Sequence, residues 1–136
     1  MERLRVKADE AIANGDPDGA AMNSGKAALM ASQLAKRDGE NPTGEWYRAA
    51  EALFRSQEHG YRALALFQRG GGNPPASTGV CQSMQLAKQE SRRAMQRFEN
   101  LGHPTDKGNS SEPSLSSIAA EWDRTTRELG GDFQCP

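Results

Sequence analysis

The chain has 136 residues, of which 35% are hydrophobic and 6% aromatic, and its net charge is −1 with both signs interspersed. This length suits a modest core, so we expect a single helical-bundle domain over residues 1–136. The charge balance argues against a nucleic-acid partner, and no apolar run approaches the roughly 20 residues that a membrane span needs.

The first two predicted helices are separated by a clear capping signal. The first covers residues 2–14 and ends at an Asn-Gly pair. Asp16 and Pro17 then supply an N-cap and a proline at the first helical position, which is a typical helix start. The second helix extends to about Asp38, where a glycine follows. Its predicted apolar face contains Met22, Ala27, Met30, Ala31 and Leu34.

A long third helix follows Asn41 and Pro42, which repeat the capping signal. Its apolar positions form two adjacent rows, and a doubled row is typical of a helix with neighbours on more than one side. The sequence therefore predicts that this helix forms the centre of the bundle. The rows are Trp46, Ala49, Leu53, Gly60, Leu64 and Phe67, and Ala50, Phe54, Tyr61 and Ala65.

The fourth helix is predicted to begin near Ser77 or Thr78, after a glycine- and proline-rich link. A 3.5-residue apolar repeat indicates one buried face. We expect residues 70–76 and 103–112 to be the most mobile internal segments, because both are polar or rich in glycine and proline. The apolar repeat consists of Val80, Met84, Ala87, Ser91, Ala94, Phe98 and Leu101.

The fifth helix is predicted to begin near Pro113 or Ser114 and to end before Gly130 and Gly131. No segment alternates in the manner of a strand, so the fold class is all-α. Because short links make neighbouring helices antiparallel, we predict an up-down bundle of four main helices plus a short N-terminal helix. That short helix either caps one end or extends toward a partner. The apolar row of the fifth helix contains Leu115, Ile118, Trp122 and Leu129.

A second interpretation concerns the middle of the chain. Small and aromatic residues there stand at fixed offsets, and residues 57–60 take the position of an inner turn. The residues at these offsets are Tyr47, Ala50, Phe54, Ala63, Phe67 and Pro75. This segment resembles one tetratricopeptide repeat, which implies a helix–turn–helix. No second copy follows one repeat length later, and a lone repeat cannot bury its own faces. The bundle is therefore the preferred interpretation.

Catalytic chemistry has little support in the sequence. His59 could act as a base or ligand beside Glu58, but no partner motif accompanies it, so a partly exposed helix residue is the simpler interpretation. Spacings typical of zinc, haem, di-iron or phosphate-loop sites are missing. We expect no cofactor, no metal site and no enzymatic activity. Gly60 could leave a cleft between alanine-rich helices, so a small-molecule- or metal-binding bundle is the alternative.

Six residues are candidates for a protein interface. Trp46, Tyr47 and Arg48 stand together near the start of the third helix, and these residue types dominate binding hot spots. Arg92, Arg93 and Arg97 give the fourth helix a basic side. Such a side either docks an acidic partner or is simply a solvated face.

The two cysteines bear on location. Cys81 lies in the first turn of the fourth helix, and Cys135 follows the fifth by a few residues. If the two helices are antiparallel, both sulfurs reach the same end of the bundle and a disulfide is favoured over two unrelated thiols. Because disulfides persist in oxidising compartments, the bond indicates a periplasmic or secreted protein, with a cytoplasmic one as the alternative.

Together these features favour a non-catalytic protein–protein interaction module. Interspersed charge and alanine-rich helical faces suit contacts between helices, and no catalytic constellation competes with that interpretation. A bacterial envelope or secretion accessory subunit fits this type, as does a toxin-neutralising or secreted effector domain. The expected partner is another protein.

Overall fold

The structure, a computed structural model, describes residues 1–70, 79–102 and 114–135. Five helices account for 87% of these residues, and no strand occurs among them, so the all-α prediction is confirmed. The helices are α1 (Glu2–Ala13), α2 (Pro17–Asp38), α3 (Pro42–Arg69), α4 (Val80–Asn100) and α5 (Leu115–Asp132). None of them combines the length and apolarity that a membrane span requires.

Three helix starts have side-chain caps, of which the sequence indicates those at Asp16 and Asn41. The Asp16 carboxylate accepts a hydrogen bond from the Gly19 amide at 3.0 Å, and the Asn41 side chain accepts one from the Gly44 amide at 2.8 Å. Ser114 caps α5 in the same way, through the Ser117 amide. Each cap satisfies one of the amides that a helix leaves unpaired at its start.

The start of α4 and the end of α5 differ from the prediction. α4 begins at Val80, with the preceding Gly79 at a φ of +81°, a conformation that glycine adopts without strain. The predicted start near residue 77 or 78, like most of the segments 70–76 and 103–112, lies outside the described residues. α5 continues through both glycines to Asp132, so the predicted end was wrong. Gly130 is buried, and a Cβ atom added there would come within 2.8 Å of the Lys88 ammonium, so α5 passes close to α4 at this turn.

The predicted up-down bundle is confirmed, with α3 at its centre. α3 packs broadly on α2 and α4, and more narrowly on α5, while α5 also packs on α4. α1 neither caps an end nor extends outward. It lies along α2, and the Met1 ammonium reaches the Met30 sulfur at 2.9 Å. Residues of α1 and α5 line a common groove with Gln57 and Tyr61 of α3.

The buried face of α2 is made of small residues and differs from the predicted one. Met22 and Met30 were expected to be in the core, but both are exposed. A face of alanine and serine lets α2 approach α3 closely, and the longer side chains are left outside. The hydroxyl of Ser24 is buried in this contact and has no hydrogen-bond partner among the described residues. The buried residues of α2 are Pro17, Ala20, Ala21, Ser24, Ala27, Ala28, Ala31 and Ala35.

The junction of α3, α4 and α5 is organised by Ser56. Its hydroxyl donates a hydrogen bond to the Ala87 carbonyl of α4 and accepts one from the Trp122 indole of α5 at 2.7 Å. The indole lies directly over Gly60, where a Cβ atom would come within 2.6 Å of the ring. The cleft expected at Gly60 is therefore filled. α3 is also continuous through residues 57–60, so the inner turn of a tetratricopeptide repeat is absent there.

Candidate functional site

The six interface candidates do not form one surface. Trp46 is half-buried against the main core, and its ring meets that of Tyr47 edge-on with centroids 5.3 Å apart. Arg48, Arg93 and Arg97 converge on a cleft of about 240 Å³ between α2, α3 and α4. Trp46 and Tyr47 do not line that cleft, and neither does Arg92, which lines a separate hollow beside the disulfide.

Acidic neighbours balance the arginines of the cleft. Glu45 pairs with Arg48 at 2.7 Å and with Arg97 at 3.6 Å, while Glu90 pairs with Arg93 at 2.9 Å. Such partly exposed pairs contribute little to stability. Because each arginine already faces a carboxylate, the cleft has much less free positive charge than the sequence suggests.

The disulfide lies at one end of the bundle. Cys81 and Cys135 are bonded, with their Cα atoms 5.4 Å apart, which confirms the predicted pairing. A second, small core sits beside it, and its main aromatic residue, Phe133, is not among the predicted apolar positions. Phe133 is buried there, and its ring centroid is 4.6 Å from that of Phe67. The C-terminal residues are thus held by apolar packing as well as by the covalent bond.

Replacing both cysteines with serine is expected to lower the free energy of unfolding by about 2–4 kcal/mol, because the bond no longer restricts the unfolded chain. Chemical denaturation of the variant and of the oxidised parent measures the difference. Mass spectrometry of unreduced protein from its native source supplies the independent check. Two alkylatable thiols in that material would contradict the bond.

A shallow groove of about 460 Å³ lies between α2 and α3; we call it the α2–α3 groove. Met22 and Leu29 line it and are 56% and 54% exposed, the highest values among the large apolar side chains of the described ranges. Arg55 and Arg62 on the opposite wall both pair with Glu58, at 3.0 Å and 3.2 Å. The exposed apolar side chains of α2 therefore face the charged residues of α3 across this groove.

A second groove of about 380 Å³ lies between α1 and α5; we call it the α1–α5 groove. Gln57 and Tyr61 of α3 line it together with residues of both flanking helices. Ile12, Ile118 and Trp122 give it apolar surface, and the Tyr61 and Trp122 rings meet edge-on at 5.2 Å. Its polar residues from the flanking helices are Arg5, Asp9, Glu121 and Thr125.

Gln57 and Tyr61 are polar but almost fully buried, with exposures of 6% and 8%. Neither side chain makes a hydrogen bond within residues 1–70, 79–102 and 114–135. Burial raises the pKa of the Tyr61 hydroxyl well above its ordinary value, and the nearby Asp9 carboxylate adds to that shift, so the hydroxyl stays protonated. Sequence periodicity placed Tyr61 in a core row, and it missed Gln57 because a polar residue does not count toward an apolar row. Periodicity also does not show which buried side chains face a groove.

The remaining ionisable candidate is His59, which is half-buried on α3. Burial lowers the pKa of its imidazole, and the carboxylate of Glu58 partly opposes that effect. Across the described ranges, no three residues among histidine, cysteine, aspartate and glutamate cluster closely enough to hold a metal ion. His103 lies outside those ranges.

Comparison with known proteins returned no relative: no protein-family model, no curated protein and no solved structure matches this chain.

Proposed function

We propose that this protein is a non-catalytic module that recognises another protein through the α2–α3 groove. The exposure of Met22 and Leu29, seven residues apart on one helix, is the observation that carries the proposal. Burying a side chain of this size is worth about 1.5–3 kcal/mol relative to leaving it exposed. Two such residues beside one groove are typical of a surface that a partner covers.

The groove indicates the chemistry of that partner. Two turns of α2 place Met22 and Leu29 about 10.5 Å apart, which matches apolar residues one heptad apart on an amphipathic helix. Lys26 lines the same groove and has no ion-pair partner in the part of the chain that the structure describes. Arg55 and Arg62 share a single carboxylate. The partner we propose is therefore an amphipathic helix with acidic residues along one edge.

The disulfide supports a location in the periplasm or outside the cell, because such bonds are rarely kept in reducing compartments. Within that location, a bacterial envelope or secretion accessory subunit and a toxin-neutralising or effector domain both fit a small disulfide-bonded recognition module. The cytoplasm is the alternative location.

Site-specific photo-crosslinking in the native cell tests the recognition surface. A benzophenone amino acid at position 29 is expected to trap one discrete protein, and Met22→Glu should abolish that product because a charge cannot be buried against an apolar helix. A synthetic peptide from the trapped segment should then gain helix on binding, as measured by circular dichroism.

The matched control places the same photoreactive residue at Arg124, an exposed position on α5 outside the groove. Position 124 is expected to give no product of the same mass. Identical products from both positions, or none from position 29, would contradict recognition through this groove.

A further inference from the structure

We propose that the α1–α5 groove binds a small organic cation, in which an ammonium group is attached to an apolar body. This site is independent of the α2–α3 groove and of any protein partner bound there. It rests on the polar groups that Gln57 and Tyr61 present to the groove, on the balance of donors and acceptors around them, and on the apolar surface beside them.

Gln57 and Tyr61 of α3 each present a polar group to the open space of this groove. The Gln57 amide and the Tyr61 hydroxyl belong to residues that are each more than nine-tenths buried, and neither group is hydrogen-bonded within the described chain. Among the described residues, the only fully buried side-chain atom without a hydrogen bond is the Ser24 hydroxyl, so the groups of Gln57 and Tyr61 reach the surface of the groove and are accessible to a ligand. They line the same open space, so one ligand can satisfy both.

Apart from Arg5, the free donors of the groove are the Gln57 amide N–H groups and the Tyr61 hydroxyl, and the acceptor sites outnumber them. The Trp122 indole already donates to Ser56, and the Thr125 hydroxyl donates to the Glu121 carbonyl, which leaves the oxygen of Thr125 as an acceptor. The carboxylate of Glu121 accepts only, as does the amide oxygen of Gln57. A ligand that donates several hydrogen bonds suits this set, and an ammonium group donates three.

The charge of the groove has the matching sign. Asp9 and Glu121 contribute two carboxylates, against the single guanidinium of Arg5. That guanidinium is engaged by Asp9 at 3.1 Å and by Glu2 at 3.0 Å, on the α1 side of the groove. Glu121 on the α5 side has no ion pair with any residue that the structure describes. An incoming cation is therefore attracted toward α5.

The apolar surface supplies the other half of the specificity. Ile12 of α1 and Ile118 of α5 line the groove from its two flanking helices, and Trp122 lines it as well. A cavity volume of about 380 Å³ falls at the lower end of small-molecule sites, which suits a ligand about the size of one aromatic ring with a short chain.

Three probes with the same body and different charge test the class of ligand: phenethylammonium, phenethyl alcohol and 3-phenylpropionate. Each is titrated into the full-length oxidised protein, and the side-chain amide signals of Gln57 are followed by NMR. Phenethylammonium is expected to bind with a Kd of about 1 mM or tighter, and the other two at least about tenfold more weakly. Equal affinity for the three probes, or no binding of the cation, would overturn the proposal.

Two variants and a matched control locate the site. Glu121→Gln should weaken phenethylammonium binding by about tenfold, as expected for the loss of one charge-assisted interaction, and leave phenethyl alcohol binding unchanged. Glu128→Gln removes the same charge from an exposed position of α5 outside the groove and should change neither. Gln57→Met preserves the side-chain volume and removes the amide, so cation affinity should also fall. Equal effects of the two glutamate substitutions would assign the binding to general charge and overturn the site.

The ammonium could come from a free amine or from a lysine side chain. N-acetyl-lysine methylamide, which has the same ammonium between peptide groups, distinguishes these sources. Tighter binding of this compound than of phenethylammonium would identify a peptide lysine as the ligand, and weaker binding would identify a free amine. The site and the chemistry of its cation are the same in both cases.

Discussion

Replacing Trp122 with alanine is expected to lower the free energy of unfolding by about 3–5 kcal/mol, the upper part of the range for truncating a core side chain. The indole is buried at the junction of α3, α4 and α5, where its nitrogen donates to Ser56 and its ring packs against Tyr61. Its removal leaves a cavity and also leaves α5 without its main contact on α3. Urea denaturation followed by circular dichroism measures the loss.

Gly60 tests the same contact from the opposite side. A methyl group at this position would lie within 2.6 Å of the Trp122 ring, which is rigid and cannot fold away. Gly60→Ala is therefore expected to cost about 1–3 kcal/mol through overpacking, although alanine is the better helix former.

Gly131 provides the matched control, because it is also helical but a Cβ atom there would meet no other atom within 4 Å. Gly131→Ala is expected to stabilise the protein by about 0.5–1 kcal/mol, since only the backbone entropy of the unfolded chain changes. A stabilising Gly60→Ala would show that the indole does not occupy this position.

Truncating Leu53 to alanine is the second large effect that we expect, a loss of about 2–5 kcal/mol. Leu53 lies on α3 and is completely buried in the main core cluster, so the deleted methyl groups leave a cavity that neighbouring alanines cannot fill. The small core predicts a free energy of unfolding at the low end of the usual range of about 5–15 kcal/mol. At that stability, the variant is expected to be partly unfolded near 37 °C.

Leu64 is the comparison within the same helix. It is only half-buried, beside the smaller cluster near the disulfide, so Leu64→Ala should cost about 1–2 kcal/mol. Thermal and urea unfolding of the two variants measure the contrast. Equal losses at the two positions would contradict the placement of Leu53 at the centre of the core.

The same lean core explains why large apolar side chains of α2 remain on the surface. α2 packs on α3 through alanine and serine, so its larger side chains are not buried in the core. Met22 and Leu29 stay outside as a consequence. A bundle that packs through small residues therefore leaves apolar side chains free for a partner, which is the basis of the proposed function.

Local features of this chain were determined by the sequence itself. The caps at Asp16, Asn41 and Ser114 act on amides three residues away, so they can be identified without knowledge of the fold. The apolar repeat of α4 is equally local, and six of its seven positions are buried, with Leu101 half-buried. The disulfide could also be predicted from the sequence, because the number of helices and the short links between them place both cysteines at one end of the bundle.

Only the tertiary structure decided which faces meet and what fills the spaces between them. Periodicity ranked Met22 and Met30 as core because they are more hydrophobic than alanine, but the distance between α2 and α3 admits only small side chains. Gly60 is a gap or a contact depending on whether an indole from a distant helix reaches it. The α1–α5 groove depends on the separation of two helices that are far apart in sequence, and side-chain periodicity contains no information about that distance.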